Sequence, residues 1–226
     1  IVIVFLQARC SSKRLPNKVI KTINDKPMFL NIIDSLKNSK LIKKIIVTTS
    51  NNKTDDKLVS ICKKNKIEYF RGNLENVSRR LKDLLIKLNF KKGYFMRISA
   101  DSPLIDFKLI NKFIKITYRK KPDILTNTFK RSFPKGQSIE LIKSSVFLKN
   151  QKKFKINSDK EHITTYFYRN YKKFKIFNIE NKKNYSNLNM SVDTKSDMIK
   201  MRQIFKKISK EKKYIPWTKL IKYFND

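Results

Sequence analysis

Hydrophobic positions along this chain follow two patterns that alternate with each other. Short runs rich in β-branched residues predict strands, and longer stretches with an apolar residue every three or four positions predict amphipathic helices. Strands are predicted at 1–6, 44–49, 67–70 and 94–99, and helices at 27–38, 54–65, 74–88 and 107–118. Such alternation is typical of an α/β fold with a mostly parallel sheet flanked by helices.

The pattern changes between residues 123 and 180, where the apolar runs become shorter and less regular. One helix is predicted at 162–170, and Pro134-Lys135-Gly136 indicates a turn. We interpret this segment as an insertion within a single domain that covers residues 1–226, because a chain of this length can bury one sizeable core.

The C-terminal part returns to regular patterns. A last strand is predicted at 187–192, directly before Asp193. Thr194 and Asp197 have the spacing of a capping box, so a helix is expected to begin there. A final helix that packs on the core is predicted at 217–224.

The chain is strongly basic, with a formal charge of +36 from 54 Lys and Arg against 18 Asp and Glu residues. Clustered cations would indicate nucleic-acid binding, but these lysines are spread over nearly every predicted helix and loop. The distribution favours compositional drift and a solvated basic surface over its alternative, a selected polyanion site. We therefore expect weak, salt-sensitive binding of polyanions and no specific nucleic-acid partner.

Several classes of site and location are excluded by what the chain lacks. Its 3 glycines, Gly72, Gly93 and Gly136, cannot form a G-x-G-x-x-G loop or a P-loop, so phosphate must be held in another way. Cys10 and Cys62 lack the spacing of a zinc site and are expected to be reduced thiols. No apolar run approaches the roughly 20 residues of a membrane span, so no membrane insertion and a cytoplasmic location are expected.

Candidate chemistry begins directly after the first predicted strand. The segment from Arg9 to Lys18 concentrates cations, hydroxyl groups and backbone N–H groups. Guanidinium groups bind phosphate bidentately and a lysine acts as a point charge. This segment is therefore a candidate triphosphate loop, with a solvated basic loop as the alternative.

Two aspartates follow predicted strands and are candidate ligands for a hard cation. In open α/β sheets, ligands bind outside the carboxyl ends of the strands, and Asp101 lies at such an end. Asp193 follows the last predicted strand. Taken singly, Asp101 also suits the N-cap of the next helix, and Asp193 also suits a turn.

Short motifs occur along the chain in a fixed order. They are Ala8-Arg9-x-x-Ser12-x-Arg14-Leu15-Pro16-x-Lys18, Arg71-Gly72 with Arg80 in the helix beyond, Asp101-Ser102-Pro103-Leu104-Ile105, Pro134-x-Gly136-x-x-x-Glu140, Glu161-His162-x-Thr164 and Asp193-Thr194-x-x-Asp197. Through these motifs, nearly the whole chain resembles the cytidylyltransferases that activate acidic sugars. The resemblance is closest to the spore coat polysaccharide biosynthesis protein F family, followed by the acylneuraminate and 3-deoxy-manno-octulosonate enzymes. Three positions depart from the family pattern, with Ser11 for a frequent Gly, Asn76 for a common Asp and Lys160 for an Arg.

The resemblance implies a Rossmann-like nucleotide-diphospho-sugar transferase fold of the GT-A-like type, with a mostly parallel mixed sheet. It implies that CTP reacts with an acidic sugar of the nonulosonic or octulosonic acid type to give a CMP-sugar and pyrophosphate. It also implies a Mg²⁺ cofactor held by Asp101 and Asp193 at the ends of two adjacent strands. A homodimer is implied as well, with residues 123–180 supplying both the dimer contact and the acceptor side.

The motif positions imply roles for individual residues. Catalytic roles fall on Arg9, Lys18, Asp101 and Asp193; nucleotide binding falls on Ala8, Arg9, Ser12, Arg14, Lys18, Arg71 and Asp101; acceptor binding falls on Glu140 and His162.

Alternatives remain for residues and for function. Arg71 also suits a salt bridge within a loop, and His162 also suits a packed or surface position. The same site suits another NTP or a non-sugar acceptor such as a phosphonate. A nucleotide-binding protein without turnover would not need both aspartates, and a basic nucleic-acid-binding module leaves the ordered motifs unexplained.

Overall fold

The computed structural model describes residues 1–211 and 214–224, which form a seven-stranded sheet with helices on both faces and a separate two-stranded sheet. The strands are β1 (Val2–Gln7), β2 (Thr22–Ile23), β3 (Lys26–Pro27), β4 (Ile42–Ser50), β5 (Tyr69–Gly72), β6 (Tyr94–Ser99), β7 (Ile124–Thr126), β8 (Glu140–Lys143) and β9 (Ile176–Asn178). The helices are α1 (Met28–Lys37), α2 (Asp56–Lys64), α3 (Val77–Lys87), α4 (Phe107–Lys120), α5 (Ser144–Asn150), α6 (Asn157–Glu161), α7 (Thr165–Arg169), α8 (Lys195–Ile208) and α9 (Trp217–Leu220).

The main sheet has seven strands in the order β5-β4-β1-β6-β8-β7-β9. Strands β5, β4, β1 and β6 are parallel to one another, whereas β8 runs antiparallel to both β6 and β7. The predicted mixed, mostly parallel sheet is thereby confirmed. The carboxyl ends of β4, β1 and β6 meet at one edge of the sheet, where ligands bind in folds of this class.

Side chains of β1 alternate between the two faces of the sheet, as the pleat of a strand requires. Val2, Val4 and Leu6 pack in a core with α1 and α4. Ile3 and Phe5 pack in a second core with α3 and α5. Because both faces of β1 are covered, its sequence is continuously apolar.

Asparagine side chains move the boundary between β5 and α3 from the predicted position. The Asn73 side chain accepts hydrogen bonds from the backbone N–H groups of Glu75 and Asn76, which makes a turn. The Asn76 side chain then caps α3 by accepting from Arg79 N. The helix therefore begins at Val77 rather than at 74.

The prediction of a strand at 187–192 is wrong. This segment forms a single bridge between Asn189 and Lys135, and its neighbour is the turn that contains Gly136 rather than a strand. Gly136 adopts a φ of +91° and lies so close that a Cβ atom would be 2.5 Å from the Met190 carbonyl oxygen. The apolar alternation arises because Met190 and Val192 are buried against α8.

The two C-terminal helices are found, although the second is α-helical only over Trp217–Leu220 and continues as a 3-10 turn over Ile221–Tyr223. Thr194 and Asp197 form the expected capping box of α8. Trp217 is buried and packs against Phe133 and Tyr185, with ring centroids 5.4 Å and 5.9 Å away. Among the described helices, none has the length and hydrophobicity to cross a lipid bilayer.

Candidate active site

The candidate site lies at the carboxyl ends of β1 and β6. Beyond these ends the backbone stays in register, because Ala8 N donates to Thr48 O at 3.1 Å and Ala100 N donates to Gln7 O at 2.9 Å. Ala8 and Ala100 are both buried. The chain then leaves the sheet on both strands, at Arg9 and at Asp101.

The candidate triphosphate loop, residues 9–18 and called the phosphate loop below, is closed by its own hydrogen bonds. Cys10 O accepts from Ser12 N and from Asn17 N, both at 2.9 Å. Leu15 is 3% exposed and anchors the loop in the apolar cluster beside α8. Ser11 is not among the described residues with positive φ, so a serine in place of glycine does not strain this turn.

Lys18 connects the loop to both candidate metal ligands. Its Nζ donates to Asp193 Oδ1 at 2.8 Å, to Asp101 Oδ2 at 3.3 Å and to Val192 O at 2.8 Å. The Lys18 side chain is only 12% exposed. Arg14 also reaches Asp193 Oδ1, at 3.1 Å, while its own side chain is largely exposed.

The charges around Asp193 control its ionisation. Burial alone would raise the pKa of this carboxyl, but the hydrogen bond and charge of Lys18, followed by those of Arg14, lower its pKa below the usual range. Asp193 therefore carries a negative charge at neutral pH. The structure thus brings together four predicted site residues, Arg14, Lys18, Asp101 and Asp193.

Asp101 and Asp193 are adjacent, as predicted, but not because both of them end strands. Asp101 directly follows β6 and its turn residue Ala100, but Asp193 ends an irregular segment. That segment is held beside β6 because Val192 N donates to Asp101 O at 2.8 Å. One backbone hydrogen bond therefore sets the distance between the two carboxylates.

The donor set fits a magnesium ion that is completed by its substrate. Mg²⁺ is usually bound by one or two carboxylates, with waters and substrate phosphates filling the other positions. Asp101 Oδ2 and Asp193 Oδ1 converge on one cation, the Lys18 ammonium group. Within residues 1–211 and 214–224 there is no cluster of three or more His, Cys, Asp or Glu that would form a complete protein cage.

Asp55 holds the phosphate loop in place through buried hydrogen bonds. This role was not predicted from the sequence. It is fully buried, and its Oδ1 accepts from Cys10 N at 2.7 Å. Its Oδ2 accepts from Ser50 N at 3.0 Å and from the Ser50 hydroxyl. Burial would raise the pKa of Asp55, but these hydrogen bonds lower it. An aspartate just before a helix looks like an ordinary helix-start residue, so the sequence gives no signal for this role.

The Arg71 side chain binds nearby groups of the same chain. Its Nε donates to Ser50 O at 2.9 Å, one terminal nitrogen donates to Asn52 O at 2.9 Å, and the other lies 2.7 Å from Asp56 Oδ1. These contacts tie β5 to the loop before α2, as in the salt-bridge alternative. Binding of nucleotide by Arg71 stays a prediction.

Glu140 is the centre of a buried polar cluster. Its Oε1 accepts from the hydroxyl groups of Thr128, Thr164 and Tyr168 at 3.1, 2.7 and 3.1 Å. Its Oε2 accepts from Arg97 Nε at 3.0 Å, a partner that was not singled out in the sequence. Burial would raise the pKa of Glu140, but Arg97 and the three hydroxyl groups lower it.

The Glu161-His162 segment reaches the phosphate loop through an ion pair. The Arg9 guanidinium lies 3.3 Å from Glu161 Oε1, and both side chains are substantially exposed. His162 follows directly and is exposed, with its backbone N donating to Ser158 O at 2.7 Å. The structure therefore places Glu161 against the loop, with the exposed His162 next to it in the chain, whereas Glu140 is buried.

Replacement of Glu140 by Gln is expected to destabilise the fold by about 3 kcal/mol, because it leaves the Arg97 charge unpaired in a mostly buried position. The wild-type contribution comes from a lowered pKa, so it is present above the unfolded pKa and lost as the pH falls through the folded value. Urea denaturation of both proteins at neutral and acidic pH measures this. Equal stabilities at neutral pH would contradict the role of the pair.

Comparison with known proteins gives a family match over nearly the whole chain. The family model for cytidylyltransferases matches residues 1–222. The spore coat polysaccharide biosynthesis protein SpsF of Bacillus subtilis is 22% identical over 213 residues, covering 91% of this chain and 87% of that protein.

Two solved structures share the fold. A cytidylyltransferase from Leptospira borgpetersenii serovar Hardjo-bovis has a TM-score of 0.90 and 29% identity, covering 98% of this chain and 92% of that one. A CMP:2-keto-3-deoxy-manno-octonic acid synthetase complexed with CTP has a TM-score of 0.66 and 14% identity, covering 91% and 98%. The predicted Rossmann-like fold is confirmed, and this chain belongs to the cytidylyltransferase family.

Proposed function

We propose that this chain transfers CMP from CTP to a hydroxyl group of an acidic sugar, with release of pyrophosphate. The observation that carries the proposal is the contact of one lysine, Lys18, with both Asp101 and Asp193 at the end of a cationic loop. A cation and two carboxylates at the carboxyl ends of parallel strands suit the binding of a metal-nucleotide complex.

CTP fits the phosphate loop through its charge. Arg9, Arg14 and Lys18 supply cations, and Ser12 adds a hydroxyl group in the same closed loop. The CTP complex of the octulosonic acid synthetase, which has the same fold, supports this assignment of the nucleotide. Other NTPs remain competitors, and a direct comparison of the four decides between them.

The reaction needs little covalent chemistry from the protein. The acceptor hydroxyl oxygen forms a bond to the α-phosphorus, its proton is released to water, and pyrophosphate leaves with the electron pair of the broken bond. Lys18 and Arg14 stabilise the charge that develops on pyrophosphate. Asp101 and Asp193 would hold Mg²⁺, which when bound neutralises charge on the phosphate oxygens.

The acceptor side carries positive charge, which supports an anionic acceptor. Arg97 lies against Glu140, and Arg131 is half-buried in the field of the same carboxylate. One carboxylate does not neutralise two guanidinium groups, so the cluster retains a net charge that attracts an acid. The exposed His162 is proposed to contact this acceptor, and Glu140 to hold the cluster in place.

The sugar class and the oligomeric state rest on relatives. The octulosonic acid synthetase is described as acting on an acidic sugar, and SpsF as a protein of polysaccharide biosynthesis. We propose the nonulosonic and octulosonic acids as the acceptor class, with a homodimer formed through residues 123–180.

The decisive measurement is pyrophosphate release from each of the four NTPs against a panel of nonulosonic acids, octulosonic acids and neutral sugars. We expect release from CTP with an acidic sugar only, and its loss when excess chelator removes divalent cations. A matched neutral sugar controls for hydrolysis. Release that is equal for all four NTPs, or that persists in chelator, would contradict the proposal.

A further inference from the structure

Arg80 of α3 is the largest fully buried side chain among the described residues. One terminal nitrogen, Nη1, donates to Asn73 O at 2.9 Å. Its Nε and Nη2 are buried and have no hydrogen-bond partner in the part of the chain that the structure describes. Buried polar groups are nearly always paired, so two unpaired donors on one cation need an explanation.

A chain of contacts links Arg80 to the phosphate loop. Its Cγ would lie 2.7 Å from a Cβ atom on Gly72, so the side chain passes directly under this glycine. Gly72 pairs with Ser50 across β5 and β4. Ser50 shares the carboxylate of Asp55 with Cys10 N, which belongs to the loop. Arg80 is therefore connected to the loop through Gly72, Ser50 and Asp55, and it lies close enough to Arg9 and Asp55 for their charges to act on it.

The charge of Arg80 is poorly compensated while the site is free of anions. Burial and the charge of Arg9 lower the pKa of the Arg80 guanidinium to about 10, and Asp55 opposes this shift. Arg80 is still protonated at neutral pH, but the Asp55 carboxylate is already bound by Cys10 N and Ser50. A buried cation without a full partner destabilises the fold.

We propose that Arg80 is a nucleotide-positioning residue, whose charge is compensated by the phosphates of the nucleotide bound at the phosphate loop. The inference rests on the proposed nucleotide site and adds a residue to it. Arg71 shows the contrast, since all three of its nitrogens already bind protein oxygens. Arg80 has donors and charge left over, as a group that acts on an anion should have.

A structural role for Arg80 makes the opposite prediction. The Gln7 side-chain oxygen is also buried without a partner in the described chain, and the pleat of β1 puts Gln7 on the same face as Phe5 and α3. The structural alternative is that the unpaired groups of Gln7 and Arg80 bond to each other in solution. In that case Arg80 would stabilise the fold, and its loss would lower the melting temperature.

The test compares Arg80→Met with Arg79→Met, which removes an exposed arginine from the same helix. Melting temperature is measured without ligand, and affinities for pyrophosphate, CTP and cytidine are measured by calorimetry. We expect Arg80→Met to keep or raise the melting temperature and to weaken pyrophosphate and CTP by about tenfold to a hundredfold. Cytidine binding and the Arg79→Met protein should match wild type.

Each other outcome has a definite meaning. If wild type binds CTP and pyrophosphate and Arg80→Met binds them equally well, the inference is wrong and the proposed function stands. If Arg80→Met melts at a lower temperature or fails to fold, the role is structural and the inference is wrong. If wild type binds neither ligand, the proposed function and the inference both fail.

Discussion

Replacement of Asp193 by Asn is expected to lower turnover by about 10²–10³-fold, as the loss of one preorganised electrostatic group does in other enzymes. Asp193 Oδ1 is the common contact of Lys18 Nζ at 2.8 Å and of Arg14 at 3.1 Å. Asparagine keeps the size of the side chain but loses its charge, which both cations and a hard metal ion require. CTP affinity should fall less, because the loop cations remain.

Steady-state kinetics with CTP and excess Mg²⁺, together with circular dichroism for folding, measure this prediction. Asp83→Asn is the matched control, since it removes one negative charge from an exposed pair on α3. Asp197→Asn tests the neighbouring aspartate, whose Oδ2 accepts from Asp193 N and Thr194 N in the cap of α8. It should cost about 1 kcal/mol of stability and leave most turnover. Normal turnover in Asp193→Asn, with loss in Asp197→Asn, would reverse the assignment.

The parallel half of the fold could be predicted because its signals are local. β1 is a continuous apolar run up to Gln7, β6 is apolar except at Arg97 and Ser99, and α4 keeps one apolar stripe over its whole length. The segment 187–192 shows where this reasoning fails. Burial against α8 gives it the apolar alternation of a strand, but strand pairing depends on a partner, and here the partner is the turn at Gly136.

The residues of the candidate site also differ in whether local sequence is enough to predict them. The loop and the two aspartates could be predicted from their motifs, and Asp101 also from its place after β6. The Lys18 bridge could not, because it joins residues that are 83 and 175 positions apart in the chain. Asp55 and Arg97 were missed because their roles depend on burial and on partners that are distant in sequence.

Replacement of Lys18 by Met is expected to change turnover and metal binding in opposite directions. Its Nζ is the counter-ion of both Asp101 and Asp193 and is only slightly exposed. Without it, turnover should fall by at least about a hundredfold, since one cation on the leaving group is lost. Asp101 then loses its lysine partner and Asp193 keeps only Arg14. The two carboxylates should bind a divalent cation more tightly in the absence of nucleotide, because no ammonium group competes for them.

The tighter metal binding is measured by thermal unfolding with increasing Mg²⁺ and no nucleotide. A ligand that binds the folded state raises the stability of the protein as the ligand concentration increases. Lys21→Met is the control, because Lys21 is an exposed lysine three residues further along. Mg²⁺ should raise the melting temperature of Lys18→Met more than that of wild type or the control. An equal rise in all three proteins would mean that Lys18 does not compete for the carboxylates.

The pH dependence of stability gives an independent measure of the contact between Lys18 and the two aspartates. Lys18 lowers the pKa of Asp193, so its contribution to stability is present above the unfolded pKa and is lost as the pH falls through the folded value. In Lys18→Met the hydrogen bond and charge of Lys18 that lower the pKa of Asp193 are absent, which removes this contribution. Without Mg²⁺, wild type should therefore be more stable than Lys18→Met at neutral pH, and the difference should narrow as the solution is acidified below the usual aspartate range. A difference that stays constant with pH would show that Lys18 stabilises the fold by packing rather than by its charge.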